Sequence, residues 1–360
     1  MNQTAPLTPL EIRQARKNNP KLRDRDFATE FQISEAQLVA AFVGTEATCI
    51  SADIDKIFPR LATLGEVMAL TRNNSCVIEK VGCYANFHAG KHAAMVLTEE
   101  IDLRLFPRHF VSAFAVEREG ASGIRRSLQF FDAAGDAVHK IHLRPESNLD
   151  AWQTLVDELT LAEQNDSLEV SPRIPPEMAK GSPEKAAELR RDWEAMTDTH
   201  QFRSMTSRLK MNRLGAYRIV GEPLARALAP EAIDDSLQAL CGSGTEVMIF
   251  VGNMGCIEIH GGPVQNLRAM GPWQNILDPG FDLHLRLDHI AEVWAVTKPT
   301  RNGNTQSIEA FDAEGGLILQ IFGRRTKEQD HRPEWHAIIA QLPSLASNSP
   351  TKSSEMEAAE

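Results

Sequence analysis

Alternation of apolar and polar positions governs several long stretches of the chain. EVMALTRNNSCVIEK from Glu66, FVSAFAVERE from Phe110 and SLQFFDAAGDAVHKIHL from Ser127 alternate or cluster β-branched and aromatic residues between turn-forming ones, which predicts an antiparallel sheet. Asn73-Asn74 and Ala134-Gly135 fall at the hairpin turns. Helical spacing replaces alternation in LTPLEIRQARKNN and from Ser34 to Val43, then again in PEKAAELRRDWEAM and SMTSRLKMNRLGAYRIV. Two Trp-headed amphipathic segments, Trp152 to Leu161 and Trp335 to Leu342, read as closing helices.

These elements occur twice. A shift of 180 residues lays Glu66-Val67-Met68 on Glu246-Val247-Met248, Asn73 on Asn253, Cys76 on Cys256, Gly82 on Gly262 and Asn86 on Asn266. The register continues without a gap through Asp102, Leu103 and Leu105 on Asp282, Leu283 and Leu285, to SLQFFDAAGD on SIEAFDAEGG. Residues 66–135 match 246–315 at 21 of 70 positions, where chance gives about four. The chain is a tandem duplication of an α+β unit, with a first repeat over 1–165, a linker over 166–185, a second repeat over 186–345 and a polar tail over 346–360 expected to be disordered. The two similar sheets are expected to associate about a pseudo-two-fold axis.

Composition narrows the function. The 360 residues are 42% hydrophobic and 24% charged, which suits an ordinary globular protein of two domains or one composite domain. The net charge of −11 repels nucleic acid and anionic membrane surfaces, so an anionic ligand requires a local basic pocket. Five cysteines without a C-x-x-C pair favour a reducing compartment, and the absence of an apolar leader or a spanning run predicts a cytoplasmic protein without membrane insertion. No P-loop, G-x-S-x-G, H-E-x-x-H or dinucleotide fingerprint is present, which removes nucleotide-dependent and common hydrolytic chemistry.

Of the eleven histidines, the pairs His88/His92 and His139/His142 read as surface or edge imidazoles beside strands. His200 has a different setting. In RDWEAMTDTHQFRSM the triplet Thr197-Asp198-Thr199 breaks one helix and caps the next, so His200 stands near a helix start. Arg213 follows on the same helical hairpin, and an imidazole beside a guanidinium offers nitrogen to a haem iron and charge to its propionates.

At this point the chain resembles the HemS/ChuS group, cytoplasmic haemin-degrading or haem-trafficking proteins of bacterial haem uptake. LTRNNSCVIEKVG with Tyr84, IDLRLFPRHF, RSLQFFDAAGDAVHKIHL, DTHQF, FDLHLR, SIEAFDAEG and QIFGRR carry the resemblance, over about residues 10–343. The resemblance implies two stacked, saddle-like antiparallel sheets flanked by helices, one haem (iron protoporphyrin IX) per chain and an axial histidine in the second half. It assigns His200 as the iron ligand, places Arg104 and Phe106 on the opposite haem face with Arg104 as the catalytic residue, and makes Arg213 a propionate or pocket contact. Lys298 and Arg325 are further pocket residues, and Phe250 and Phe322 aromatic walls. The alternatives are a strand-face arginine paired with a nearby acid for Arg104, and plain core positions for Phe106 and Phe250. Because Arg104 aligns with His284 and no histidine precedes His88 in the first copy, one complete site is expected rather than two.

Two activities fit these residues. In one, haem is opened oxidatively to release iron, in the manner of a haem oxygenase, with electrons from an external donor. In the other, the chain is a haem chaperone that accepts haem from an inner-membrane importer and passes it to a separate haem oxygenase.

Overall fold

A computed structural model describes residues 7–120 and 123–345; the tail expected over 346–360 lies outside them. Two antiparallel sheets of nine strands form the frame. From edge to edge, the first runs Ala47–Ile50, Ser112–Gly120, Gly123–Phe131, Ala137–Leu143, Val67–Arg72, Cys76–Gly82, Phe281–Arg286, Trp273–Asp278 and Leu267–Met270. The second runs Ala225–Leu228, Glu292–Lys298, Thr305–Phe311, Leu317–Gly323, Val247–Gly252, Cys256–Gly262, Asp102–Leu105, Ala94–Leu97 and Phe87–His88. The α+β class and the tandem duplication are thus visible in the topology.

Each sheet takes six strands from one copy and three from the other. The exchange is held at two equivalent places. Asn73, in the turn after Val67–Arg72, donates through Nδ2 to the carbonyls of Gly252 (3.2 Å) and Ile318 (2.8 Å), while its Oδ1 accepts from the Ser75 and Cys76 amides. Asn253 reciprocates, donating to the carbonyls of Arg72 and Val138 (2.9 Å each) and accepting from the Gly255 and Cys256 amides. Backbone bonds repeat the symmetry, from Phe106 to Gly255 (2.9 Å) and from Arg286 to Ser75 (2.8 Å). These paired roles account for Asn73 and Asn253 keeping their identity through the duplication.

The inward faces of the sheets meet in an apolar core that mixes the copies, with Cys256 packed among first-copy residues and Cys76 and Ile78 among second-copy ones. Helices cover the outer faces. Pro9–Asn18 opens with a capping box at Thr8, and Glu35–Ala40 opens with another at Ser34. Glu35 then pairs with Arg72 and with Lys140 (3.0 Å), closing part of the first sheet's outer face. On the second sheet the corresponding cover is Ala186–Glu194, Gln201–Arg208 and Arg213–Val220. The Trp-headed segments form Leu149–Leu159 and Arg332–Gln341, and these pack on the inner side, with Trp152 and Trp335 buried among the inward-facing residues of the sheets.

One histidine reading is corrected. His139 is 1% exposed rather than at a surface or an edge, because its strand is covered on both faces. Thr71 Oγ1 lies 2.8 Å from its Nδ1 and Tyr84 OH 2.5 Å from its Nε2, and burial pushes its imidazole down to about 3. It is a neutral core histidine.

Candidate functional site

Strand alternation and register place most of the candidate residues on one surface. In the second sheet Lys298 faces Thr305, Trp294 faces Glu309, Glu309 faces Gln320, and Ser307 faces Phe322. Phe322 then pairs with Met248, Phe250 with Gln320 and Ile259, and Ile257 with Arg104. Cross-strand partners share a face, and so do residues two apart along a strand. Lys298, Glu309, Phe322, Phe250 and Arg104 therefore line a single outer face, and Arg104 reaches it only because its strand crosses from the first copy.

Helices close one end of this face and leave the other open. Trp193 is fully buried and donates from Nε1 to the Thr297 carbonyl (2.9 Å), which seats Ala186–Glu194 on the strand ending at Lys298. Beneath the cover lies an ionic cluster. Glu309 accepts from Arg213 Nη1 (2.6 Å), Tyr217 OH (2.8 Å), Lys298 Nζ (2.9 Å) and Ser307 Oγ (2.9 Å). Burial alone pushes the Glu309 carboxyl up, but Arg213 and Lys298 outweigh it and hold the group well below the usual carboxylate range. Lys298 also lies 4.9 Å from the centroid of the Phe202 ring. The Arg213 side chain keeps 36% of its surface exposed, so it stands at the rim of the cluster.

His200 marks the start of Gln201–Arg208 and belongs to the same helical cover. Its side chain is 95% exposed. Asp198 Oδ1 accepts from the His200 amide (2.8 Å) and lies 2.7 Å from Nδ1. An ionised carboxylate only accepts, so Nδ1 carries a proton, and it is the neutral imidazole that presents its Nε2 lone pair to solvent. The bonds from His200 hold the Asp198 carboxyl below its ordinary value, the backbone contribution being the larger. Gln201 Oε1 accepts from the Thr197 and Asp198 amides, and the Arg301 amide donates to the Thr197 carbonyl (3.0 Å), so the loop carrying His200 is tied to the sheet.

At the open end, Phe250 and Phe322 are half-buried, with ring centroids 5.3 Å apart at 71°. Arg104 is half-buried, pairs with Asp102 on its own strand and donates to the Leu103 carbonyl (3.1 Å). Phe106 follows just beyond that strand and is half-buried. Arg325 is exposed past the end of Leu317–Gly323, with Nε 3.9 Å from Asp330, and stands apart from the residues that share the face. Arg213 and Lys298 thus meet at Glu309, Phe250 meets Phe322, and Arg104 and Phe106 lie farther along the sheet. Sequence reasoning missed Asp198 as the group that orients His200, and Glu309 with Tyr217 as the anchor of both cations. For Asp198 the signal was its spacing two residues before the histidine. For Glu309 it was an acid alternating with Ile308 and Ala310 in SIEAFD, on the face opposite the inner core.

This arrangement defines a class: a duplicated β-sheet protein with an aromatic, cation-rimmed face and one exposed, carboxylate-oriented imidazole. A model of the family described as the haemin-degrading HemS.ChuX domain matches residues 32–159 and 210–342, and the chain belongs to that family. His200 lies between the two matched segments. The chain is 37% identical over 330 residues to the hemin transport protein HmuS of Yersinia pestis, covering 91% of this chain and 95% of that protein. Among solved structures it is similar to holo-PhuS, a heme-binding protein from Pseudomonas aeruginosa, with a TM-score of 0.89 and 39% identity over 94% of this chain and all of that one. It is also similar to ChuS, described as an E. coli heme oxygenase, with a TM-score of 0.82 and 34% identity over 91% of this chain and 98% of that one.

Proposed function

We propose that the chain binds haem on the open part of the second sheet's outer face, with His200 Nε2 as the iron ligand, and opens the porphyrin oxidatively with electrons from an external donor. The observation that carries the reading is the Asp198–His200 pair: a fully exposed imidazole whose proton is fixed on Nδ1 is built to offer Nε2 to a metal. The other residues fit the same ligand. Phe250 and Phe322 supply apolar surface for the ring, and the exposed part of Arg213 supplies charge for a propionate. Lys298 is 4% exposed and acts from beneath, by holding Glu309 and through it Arg213. Arg104 is the catalytic candidate, its guanidinium placed on the sheet to direct attack on the porphyrin edge. Haem is the substrate, and an inner-membrane importer and an electron donor are the partners this reading requires in the cytoplasm.

A second reading, a haem chaperone serving a separate oxygenase, is favoured by the exposure of His200, because an iron ligand standing in solvent exchanges readily. One experiment separates them: the haem complex, prepared without oxygen, is exposed to oxygen and reductant with catalase present. Loss of the Soret band with a stoichiometric tetrapyrrole product supports ring opening. A stable band, or bleaching that catalase abolishes, supports the chaperone. A chain that takes up no haem overturns both.

A further inference from the structure

The duplication provides a second outer face, and there the residues have changed their chemistry. Under the 180-residue register Arg104, Asp102 and Ile259 of the second sheet correspond to His284, Asp282 and Glu79 of the first. The pairing in space agrees: Asp282 lies directly opposite Glu79, as Asp102 lies opposite Ile259. One ring nitrogen of His284 and one carboxylate oxygen from each of Glu79 and Asp282 lie within 4.8 Å of one another. All three residues are half-buried.

The histidine of this trio is held in a defined state from outside it. Asn275, 5% exposed and opposite His284 in the sheet, donates from Nδ2 to the Arg268 carbonyl (2.7 Å). That bond turns Asn275 Oδ1 toward His284 Nδ1, 2.7 Å away. Since Oδ1 only accepts, Nδ1 is the protonated nitrogen and Nε2 is left with a lone pair. A metal-binding imidazole is commonly oriented in this way by a partner behind it. The two carboxyls have no such partner: among the described residues neither Glu79 nor Asp282 forms a hydrogen bond or an ion pair through its side chain. A cavity of about 400 Å³ adjoins the trio, lined among others by Glu79, Asp282, His142, Met68 and Phe281, with room for water to complete a coordination sphere.

We propose that Glu79, Asp282 and His284 bind a divalent first-row metal ion, with its remaining positions open to water. One imidazole nitrogen with two carboxylate oxygens suits Mn²⁺, Fe²⁺ or Zn²⁺; the imidazole argues against Ca²⁺ and Mg²⁺, and the lack of sulfur argues against softer ions. The two sheets then differ in chemistry at equivalent positions, with Glu79, Asp282 and His284 on the first and Ile259, Asp102 and Arg104 on the second.

The test uses the full haem-free chain, with MnCl₂ followed by loss of the free-ion resonance signal and ZnCl₂ followed by calorimetry. The wild type should take up one ion in this site. His284→Gln and Asp282→Asn should each weaken uptake at least tenfold, and Asn275→Ala by about ten- to a hundredfold through loss of the orienting bond. Thermal unfolding midpoints of His284→Gln and Asp282→Asn should stay near the wild-type value, Asn275→Ala should lose a few degrees with its buried bond to Arg268, and the haem titrations of all three should be unchanged, which separates this site from the haem reading. Failure of the wild type to bind either ion at millimolar concentration overturns the proposal. So does uptake that survives both His284→Gln and Asp282→Asn.

Discussion

Two residues carry the sharpest consequences of burial and orientation. Glu258 sits between the sheets with both carboxyl oxygens buried and unpartnered, near Lys80 and 3.9 Å from His139 Nδ1. Burial pushes its carboxyl from 4.5 up to about 8, against smaller opposing influences from Thr71 and Lys80. Below pH 4.5 both folded and unfolded states hold the proton; above it the unfolded chain ionises while the fold must retain it, so stability falls until about pH 8 and then levels. Relative to wild type, Glu258→Gln should gain stability progressively across that window, on the order of a few kcal/mol at its upper end. Urea unfolding at a series of pH values checks this, and a difference independent of pH contradicts it. At the haem site, Asp198→Ala removes the acceptor that fixes the His200 proton and should weaken haem binding by roughly ten- to a hundredfold, measured by titration, whereas Asp198→Asn, whose Oδ1 still accepts from Nδ1, should lose much less.

At the scale of elements, the reciprocal asparagines are the joints of the molecule. Asn73 and Asn253 each satisfy two amides of their own turn and two carbonyls of the other copy's strands, so Asn73→Ala or Asn253→Ala leaves several polar groups without partners. Each should cost about 1–3 kcal/mol, read from denaturant midpoints, and Asn→Asp should not restore it because the lost donor is the amide. The turns themselves were legible in the sequence: Asn73-Asn74 and Ala134-Gly135 fall between the expected strands, and Gly135 adopts φ 77°. So were the helices headed by Trp152 and Trp335 and the helix start at His200. The exchange of three strands was not. Alternation in IDLRL and FDLHL shows which side of a strand is apolar, but Leu103 and Leu105 are chemically the same as Leu283 and Leu285, so either sheet could accept either strand. The acid Glu309 escaped notice for a related reason: its meaning comes from Arg213, Lys298 and Tyr217, which converge on it from distant parts of the chain.

For the whole molecule, the exchange means that the two copies fold as one body even though a linker divides them. Residues 171–179 are largely exposed, and the segment is fastened to the first copy by Arg173 to Asp136 (2.7 Å) and by the Ser171 amide to the Ala133 carbonyl (2.7 Å), and to the second by Asn212 Nδ2 to the Met178 carbonyl (2.8 Å). A protease site inserted between Ile174 and Pro175 and then cut should leave the halves together on size exclusion, because separating them would strip three strands from each sheet. Halves that part after cleavage would contradict a shared core. The same architecture delivers Arg104 of the first copy to the face capped by His200 of the second, so the proposed haem site needs both halves.

The central claim is that His200 holds the iron, and the most direct measurement is a titration of the full haem-free chain with ferric haem, followed through the Soret band, in wild type and His200→Ala. The wild type should saturate at about one haem per chain. His200→Ala should bind more weakly and give a different ferric spectrum, while His88→Ala, at an exposed position in a short edge strand, should match the wild type. A His200→Ala chain with the wild-type spectrum and affinity would contradict the assignment.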